Sequence, residues 1–190
     1  MAVAAIAGWP IIPIFFIQVH LRPTFWRRLG ALTYLVVFLE WMPVIVLVTL
    51  FQDFFLMTEF QFGALSLLGA ILLLLGLGLQ IWTFEALGWR GLLGYSELKP
   101  QAVSQKLVIQ GPFRLVRHPA YLAHTLMFVG IFLATAFLGT GILALLDFVT
   151  SYFAITRLEE KELITRFGKE YDDYRASVPK FLPVSRRKRF

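Results

Sequence analysis

The sequence predicts an all-α integral membrane protein with five transmembrane helices and a cytoplasmic, amphipathic C-terminal helix. Three observations lead there. Of 190 residues, 58% are hydrophobic and only 16% charged, which is more apolar than a soluble domain of this size. The apolar residues are gathered into runs that reach or nearly reach the ~20 residues a helix needs to cross a ~30 Å hydrocarbon core. Every lysine and arginine falls on one side of the resulting pattern.

Helices are the reading for these runs because an open-ended segment in lipid must satisfy its own backbone. The first runs from about Ala2 to Val19 and contains Pro10 and Pro13, which predict a kink. Its apolar start has no positive leader, so it reads as a membrane segment rather than a signal peptide. The second runs from about Ala31 to Phe51 and the third from about Phe62 to Leu87. The fourth and fifth run from about Ala120 to Leu138 and from about Gly139 to Thr156. A tight hairpin turning at Gly139, Thr140 and Gly141 is expected between these last two. Residues 157–178 alternate charges with Leu158, Leu163, Ile164, Phe167, Tyr171 and Tyr174 at helical spacing. Gly168 interrupts this amphipathic helix, and Pro179 and Pro183 end it. One domain is expected over 1–190, with three N-terminal spans in 1–86 and a core in 87–183.

Charge placement sets the orientation. Arg22, Arg27 and Arg28 lie in the first loop; Arg90, Lys99, Lys106, Arg114 and Arg117 lie in the third. Arg157 and every later basic residue lie in the tail. The second loop carries Asp53 and Glu59 but no basic residue, and the last turn carries no charge. The positive-inside rule puts the N-terminus outside and the C-terminus in the cytoplasm. The net charge of +6 therefore follows topology, and nucleic acid is not an expected partner. Arg186, Arg187, Lys188 and Arg189 read as an anchor at anionic headgroups. The chain has no cysteine, which excludes disulfides, cysteine-ligated zinc and a thiol nucleophile. No metal site is expected.

Two polar stretches stand out. Gly111-Pro112-Phe113-Arg114-Leu115-Val116-Arg117-His118-Pro119-Ala120-Tyr121 enters the fourth span. Pro119 suits the first helical turn, whose free N–H groups favour an anion, and the Arg117 fork suits a carboxylate. The alternative is that Arg117 and His118 snorkel at the interface and Tyr121 belongs to an aromatic belt. Where the fifth span emerges, Glu159 and Glu160 offer carboxylates to a cationic ligand. Here the alternative is a solvated helix face with (i, i+4) pairs such as Glu162–Arg166. Glu40, Gln80, His124 and Asp147 lie within spans and are expected to face the bundle interior, with structural pairing for Glu40 and Asp147. His124 shares a helical face with Tyr121, as pocket wall or as a satisfied buried histidine.

As an ordered set, these stretches resemble the isoprenylcysteine carboxyl methyltransferase family and its phospholipid N-methyltransferase relatives. The resemblance covers roughly Leu87 to Pro183. It includes Leu87-Gly88-Trp89, Lys106-Leu107-Val108, Gly111, Arg117-His118-Pro119, Tyr121, Glu159-Glu160, Phe167-Gly168, Tyr171, Tyr174 and Pro183. It implies an S-adenosyl-L-methionine-dependent methyltransferase, with the cofactor in a cytoplasmic pocket. By that pattern Lys106, Leu107 and Val108 border the adenosine, with Gln105 standing where many relatives have histidine. His118, Tyr121 and Glu159 then hold polar groups of the cofactor, while Arg117 and Glu160 face the reacting centre. His124 and Phe128 fall on the substrate side. Leu122 and Ala123 stand where relatives often have glycine, which leaves the width of the lipid-facing entrance open. Gly76-Leu77-Gly78 resembles a glycine pair used by the phospholipid relatives, and close helix packing is the preferred reading. The implied acceptor is lipophilic or lipid-tailed, a carboxylate or an amine, reaching the site from the membrane. A sterol-type NADPH-dependent reductase and a non-catalytic scaffold are the alternatives.

Overall fold

The computed structural model describes residues 2–57, 63–98 and 106–182. Gln105, Lys99, Glu59, Pro183 and the terminal basic cluster lie outside the described residues. All regular elements among the described residues are helical. The first apolar run is α1 (Ala2–Gly8) and α2 (Ile11–Leu21), parted at the expected place because Pro10 has no N–H to donate. The short α3 (Pro23–Leu29) forms the first loop. The second run is α4 (Leu32–Leu50), which continues through Pro43 and is followed by α5 (Gln52–Phe55). The third is α6 (Leu65–Leu92), bent at Gly88, whose φ of 66° and ψ of 175° suit only glycine. The connection carries α7 (Tyr95–Leu98) and a 3₁₀ turn at Gly111–Arg114. Next come α8 (Pro119–Thr135) and α9 (Leu138–Val149), then a π turn at Thr150–Ile155. The chain ends in α10 (Thr156–Phe167) and α11 (Lys169–Ser177).

Four stretches are long and apolar enough to cross a membrane: Ala2–Leu21, Leu32–Leu50, Leu65–Gly91 and Leu138–Phe167. Pro119–Thr135 is a shorter apolar helix. The chain is thus a multi-pass integral membrane protein. The last stretch has 30 residues, about 45 Å at ~1.5 Å per residue. That exceeds a ~30 Å hydrocarbon core, and the polar turns of α10 take up the excess.

The closest helix pair is α6 with α8, and glycines make it so. A Cβ on Gly130 would stand 2.6 Å from the Leu73 backbone nitrogen, and one on Gly69 would stand 2.7 Å from the Gly130 carbonyl oxygen. Gly76 meets the Ala123 carbonyl at 2.8 Å in the same way, whereas Gly78 has open space. Small residues let backbones touch where lipid supplies no hydrophobic drive for helix association.

Two expectations are corrected. The hairpin turns at Ala136 and Phe137, and Gly139, Thr140 and Gly141 are helical. Ala136 takes a left-handed conformation, its N–H donates to the Phe132 carbonyl at 2.7 Å, and the Leu138 N–H reaches Met57 at 2.9 Å. The two glycines serve packing instead, with Gly139 against Phe55 and Ile6 and Gly141 against the Phe132 ring. Glu40, expected inside, lies exposed on α4 and accepts a hydrogen bond from Gln18 Nε2. The helix presents Thr33, Val37 and Val48 to the core, and Glu40 falls beside that stripe. Asp147 is buried and paired as expected. Trp9 Nε1 donates to it at 2.8 Å and Thr125 Oγ1 at 2.7 Å, tying the break between α1 and α2 to α8 and α9. Gln80 and His124 are half-buried.

The described basic segments meet at one end. Arg27 pairs with Glu162 at 2.7 Å, Tyr34 donates to the Leu93 carbonyl at 3.1 Å, and the Arg117 N–H donates to Pro179 at 2.9 Å. Gly130→Leu is expected to cost roughly 1–3 kcal/mol by overpacking α6 against α8. Gly78→Ala should be neutral or slightly stabilising. Reversible denaturation in mixed micelles checks the pair, and equal stability of the two variants would remove glycine contact as the reason for the close approach.

Candidate functional site

The site begins where Pro119 starts α8 and His118 caps it with φ of −123°. The tail crosses here, because the Arg117 N–H donates to the Pro179 carbonyl and the His118 N–H to that of Lys180 at 3.3 Å. The Arg117 guanidinium continues the crossing. Nη1 donates to the carbonyls of Arg175 at 3.1 Å and Val178 at 2.6 Å. Nε and Nη2 both donate to Glu160 Oε1, at 3.1 and 2.8 Å. His118 lies between two carboxylates, with Nε2 3.0 Å from Glu160 Oε1 and Nδ1 3.3 Å from Glu159 Oε2.

The electrostatics follow from this clustering. Burial pushes His118 down, but the Glu159 and Glu160 carboxylates outweigh it and leave its pKa raised. Burial pushes Glu160 up, but His118 and Arg117 hold it at about 2. Glu159 is likewise lowered against its burial, through His118, the charge of His20 and a hydrogen bond from Tyr121. Tyr171 and Tyr174 are raised, chiefly by burial. The Tyr174 hydroxyl donates to the Phe113 carbonyl at 2.8 Å.

Two cavities adjoin at this cluster. The first, about 190 Å³, has apolar walls from Leu87, Leu107, Val108, Phe113, Leu163 and Phe167. Its polar groups come from Arg90, Lys106, Arg117, Glu159, Arg166 and the two tyrosines. The second, about 80 Å³, runs along the first turns of α8 past His118, Tyr121 and His124 to Phe16. Both share Leu87, Gly91, Phe113, Arg117 and Glu159. In the first, Glu159 Oε2, Tyr171 Oη and Arg166 Nε are buried without an aligned hydrogen bond. A carboxylate, a hydroxyl and a guanidinium N–H beside apolar walls suit a ligand with a cationic amine, hydroxyls, a carboxylate and an aromatic ring. No group of three or more residues able to hold a metal occurs among the described residues.

The sequence-predicted residues are thereby located. Lys106, Leu107 and Val108 line the first cavity, His118, Tyr121 and His124 line the second, and Arg117 and Glu159 line both. Glu160 lines neither and is held by Arg117 and His118. Phe128 also lines neither. Its ring is 6.3 Å from that of His124, and it packs with Trp9, Val48 and Leu143. Glu162 bonds Arg27 and approaches His20 across the bundle, rather than serving only a local helix pair. Phe16, Arg90 and Arg166 were not anticipated. Arg166 follows Glu159 by seven residues on one helical face, which was a readable signal. Phe16 comes from α2, and no local pattern links it to α8.

The fold and site define a class: a multi-pass, all-helical membrane protein with a polar, two-chambered pocket at the basic end of its bundle. A family model for phospholipid methyltransferase matches residues 65–170, and the chain belongs to that family. It is 28% identical to a methanethiol S-methyltransferase of Crocosphaera subtropica over 155 residues, which is 81% of this chain and 58% of the relative. A methanethiol S-methyltransferase of Pseudomonas deceptionensis is 38% identical over 40% of this chain and 28% of its own length. The nickel-cobalt-cadmium resistance protein NccN of Alcaligenes xylosoxydans is 34% identical over 42% of this chain and 37% of its own length. The chain therefore matches less than two thirds of each of these relatives. No solved structure matches it.

Arg117→Ala is expected to destabilise the protein by roughly 3–5 kcal/mol, since it leaves Glu160 with His118 alone and two tail carbonyls without their donor. Hydrogen exchange should rise first at 175–180. The pH dependence has a definite sign. The contribution of Glu160 is present above its usual 4.5 and is lost as pH falls through about 2. That of His118 is full below its usual 6.5 and is lost as pH rises through its raised value. Unfolding midpoints against pH should show both limbs, and Glu160→Gln should flatten the acid one.

Proposed function

We propose that the protein is an S-adenosyl-L-methionine-dependent methyltransferase acting on a lipophilic acceptor at the cytoplasmic face of the membrane. The observation that carries this is the pair of adjoining cavities with Arg117 and Glu159 on their common wall. The family membership and the names of the methanethiol relatives favour methyl transfer over reduction.

When bound, the cofactor supplies a methyl group made electrophilic by a sulfonium. The first cavity suits it through the three buried polar atoms described above. Leu107, Val108 and Phe113 offer apolar surface to its ring, with Lys106 beside them. Glu159 and the Tyr121 hydroxyl that bonds it hold cationic and hydroxyl groups. Arg166 offers a donor to a carboxylate. Glu160 acts on the reacting centre through Arg117, which it keeps aimed, and His118, whose charged form it favours.

The second cavity is the acceptor's, with Phe16 and Ala120 as apolar wall and His124 among its polar lining. Phe128 supports His124 from behind. An apolar tail gains roughly 0.8 kcal/mol per buried methylene, so a lipophilic acceptor concentrates at this depth. Arg117 orients an anionic head group such as a carboxylate. A protic acceptor, an amine or a thiol, must lose a proton for the transfer. Holding the acceptor in line and excluding water is the rest of the task.

Isothermal titration of the detergent-purified protein tests the cofactor site. Glu159→Ala and Tyr121→Ala should each weaken S-adenosylmethionine by at least about tenfold, as for a lost charge-assisted bond. Unchanged affinity in both folded variants would refute the assignment. Turnover of matched acceptors with and without an apolar tail should favour the tailed one, and equal turnover would exclude a lipophilic acceptor.

The proposed topology has five spans, with Pro119–Thr135 as the fourth, the N-terminus outside and the C-terminus inside. It rests on the one-sided basic residues. A reporter fused after Phe190 should be active only in the cytoplasm, and activity in the external compartment would reverse the orientation.

A further inference from the structure

We propose that the groove between α2–α3 and α10 is a second binding site, separate from the two chambers, that takes the phosphate headgroup of an anionic membrane phospholipid. The groove, of about 580 Å³, is larger than either chamber.

Its chemistry is cationic. Arg27, Lys161 and Arg166 line it with a single carboxylate, Glu162. That carboxylate is already engaged, with Arg27 Nη2 donating to Oε1 at 2.7 Å and His20 Nε2 lying 3.3 Å from Oε2. Two positive charges are left in excess. Lys161 is exposed and has no carboxylate partner among the described residues. Arg166 adds its charge at the border with the first chamber. A phosphate monoanion or diester fits such a set, because guanidinium and ammonium donors recognise its oxygens by charge-assisted bonds.

The helix α10 is a wall with two faces. Leu158, Lys161, Glu162 and Thr165 recur at helical spacing toward the groove. Glu159, Leu163 and Arg166 recur toward the first chamber. The groove therefore lies behind the pocket, and Arg166 borders both.

Placement selects a lipid over a soluble phosphate. The groove lies where α2 ends the first apolar run, beside Pro23 and Leu158. Leu21 in its wall is 63% exposed and nearby Phe25 is 54% exposed. Cations at the end of an apolar helix, beside exposed apolar side chains, match a molecule with an anionic head and acyl chains.

The test uses the full chain, delipidated in neutral detergent and titrated calorimetrically without S-adenosylmethionine, so its result is independent of the proposed methyl transfer. The probes are dihexanoyl-phosphatidylglycerol, dihexanoyl-phosphatidylcholine and glycerol phosphate. Saturable binding of phosphatidylglycerol is expected, with the other two at least about tenfold weaker. Lys161→Ala and Arg27→Ala should each weaken it by about tenfold, equivalent to ~1.4 kcal/mol. Lys161→Ala alone is decisive if Arg27→Ala disturbs Glu162 and folding. Equal binding of phosphatidylcholine, equal binding of glycerol phosphate, or unchanged affinity in Lys161→Ala would each overturn the proposal.

Discussion

Arg117 directs its guanidinium at three partners distant in sequence: the Glu160 carboxylate and the carbonyls of Arg175 and Val178. That one side chain joins the start of α8, the emergence of α10 and the returning tail. Its backbone N–H adds a fourth tie, to Pro179. A guanidinium keeps its charge at any accessible pH, so the junction does not depend on a proton of its own. The proton-dependent member is His118, placed between two carboxylates that favour its charged form. The pocket walls are consequences of this junction. Without the tail brought over α8, Tyr171 and Tyr174 would not close the first cavity.

A buried charge cluster in a membrane protein is costly unless each group is matched. Here it sits at the end of the bundle, where α10 has passed beyond the hydrocarbon length. Deeper in the bundle the polar groups are handled one at a time. Buried Asp147 receives one donor from Trp9, at the break between α1 and α2, and one from Thr125 of α8, while Glu40, exposed on α4, receives one from Gln18. Polar density rises toward the basic end and apolar packing toward the other. In the proposed function, this gradient lets a soluble cofactor and a lipophilic acceptor approach the same wall from different sides.

The approach of α6 to α8 sets the floor of the second chamber. Gly69, Gly76 and Gly130 bring the backbones into contact, which carries Leu87 and Gly91 up to the first turns of α8. The bend at Gly88 then turns the end of α6 so that Gly91 and Arg90 border the pocket. Packing glycines and a conformational glycine thus do different work on one helix.

Much was legible in the sequence because bilayer constraints act locally. Apolar run length marked the helices, Pro10 marked the break in the first, and basic residues marked the end of the bundle that carries the site. Of the motif from Leu87 to Pro183, Lys106, Leu107, Val108, Arg117, His118, Tyr121 and Glu159 line the two chambers, whereas Glu160 lines neither. What the sequence by itself did not determine were the relations between helices. Gly139 and Gly141 looked like a turn because glycine is poor in helices, yet only the packed neighbours Phe55, Ile6 and Phe132 show why glycine is needed there. Phe16 joined the pocket, Glu162 found Arg27 and Phe128 turned to the core through contacts spanning many residues. Such contacts depend on crossing and rotation of helices, which leave no period in a single chain. The sequence determined which segments are helical and which carry charge; the tertiary structure decided which side chains share a cavity, because that depends on distances no local pattern encodes.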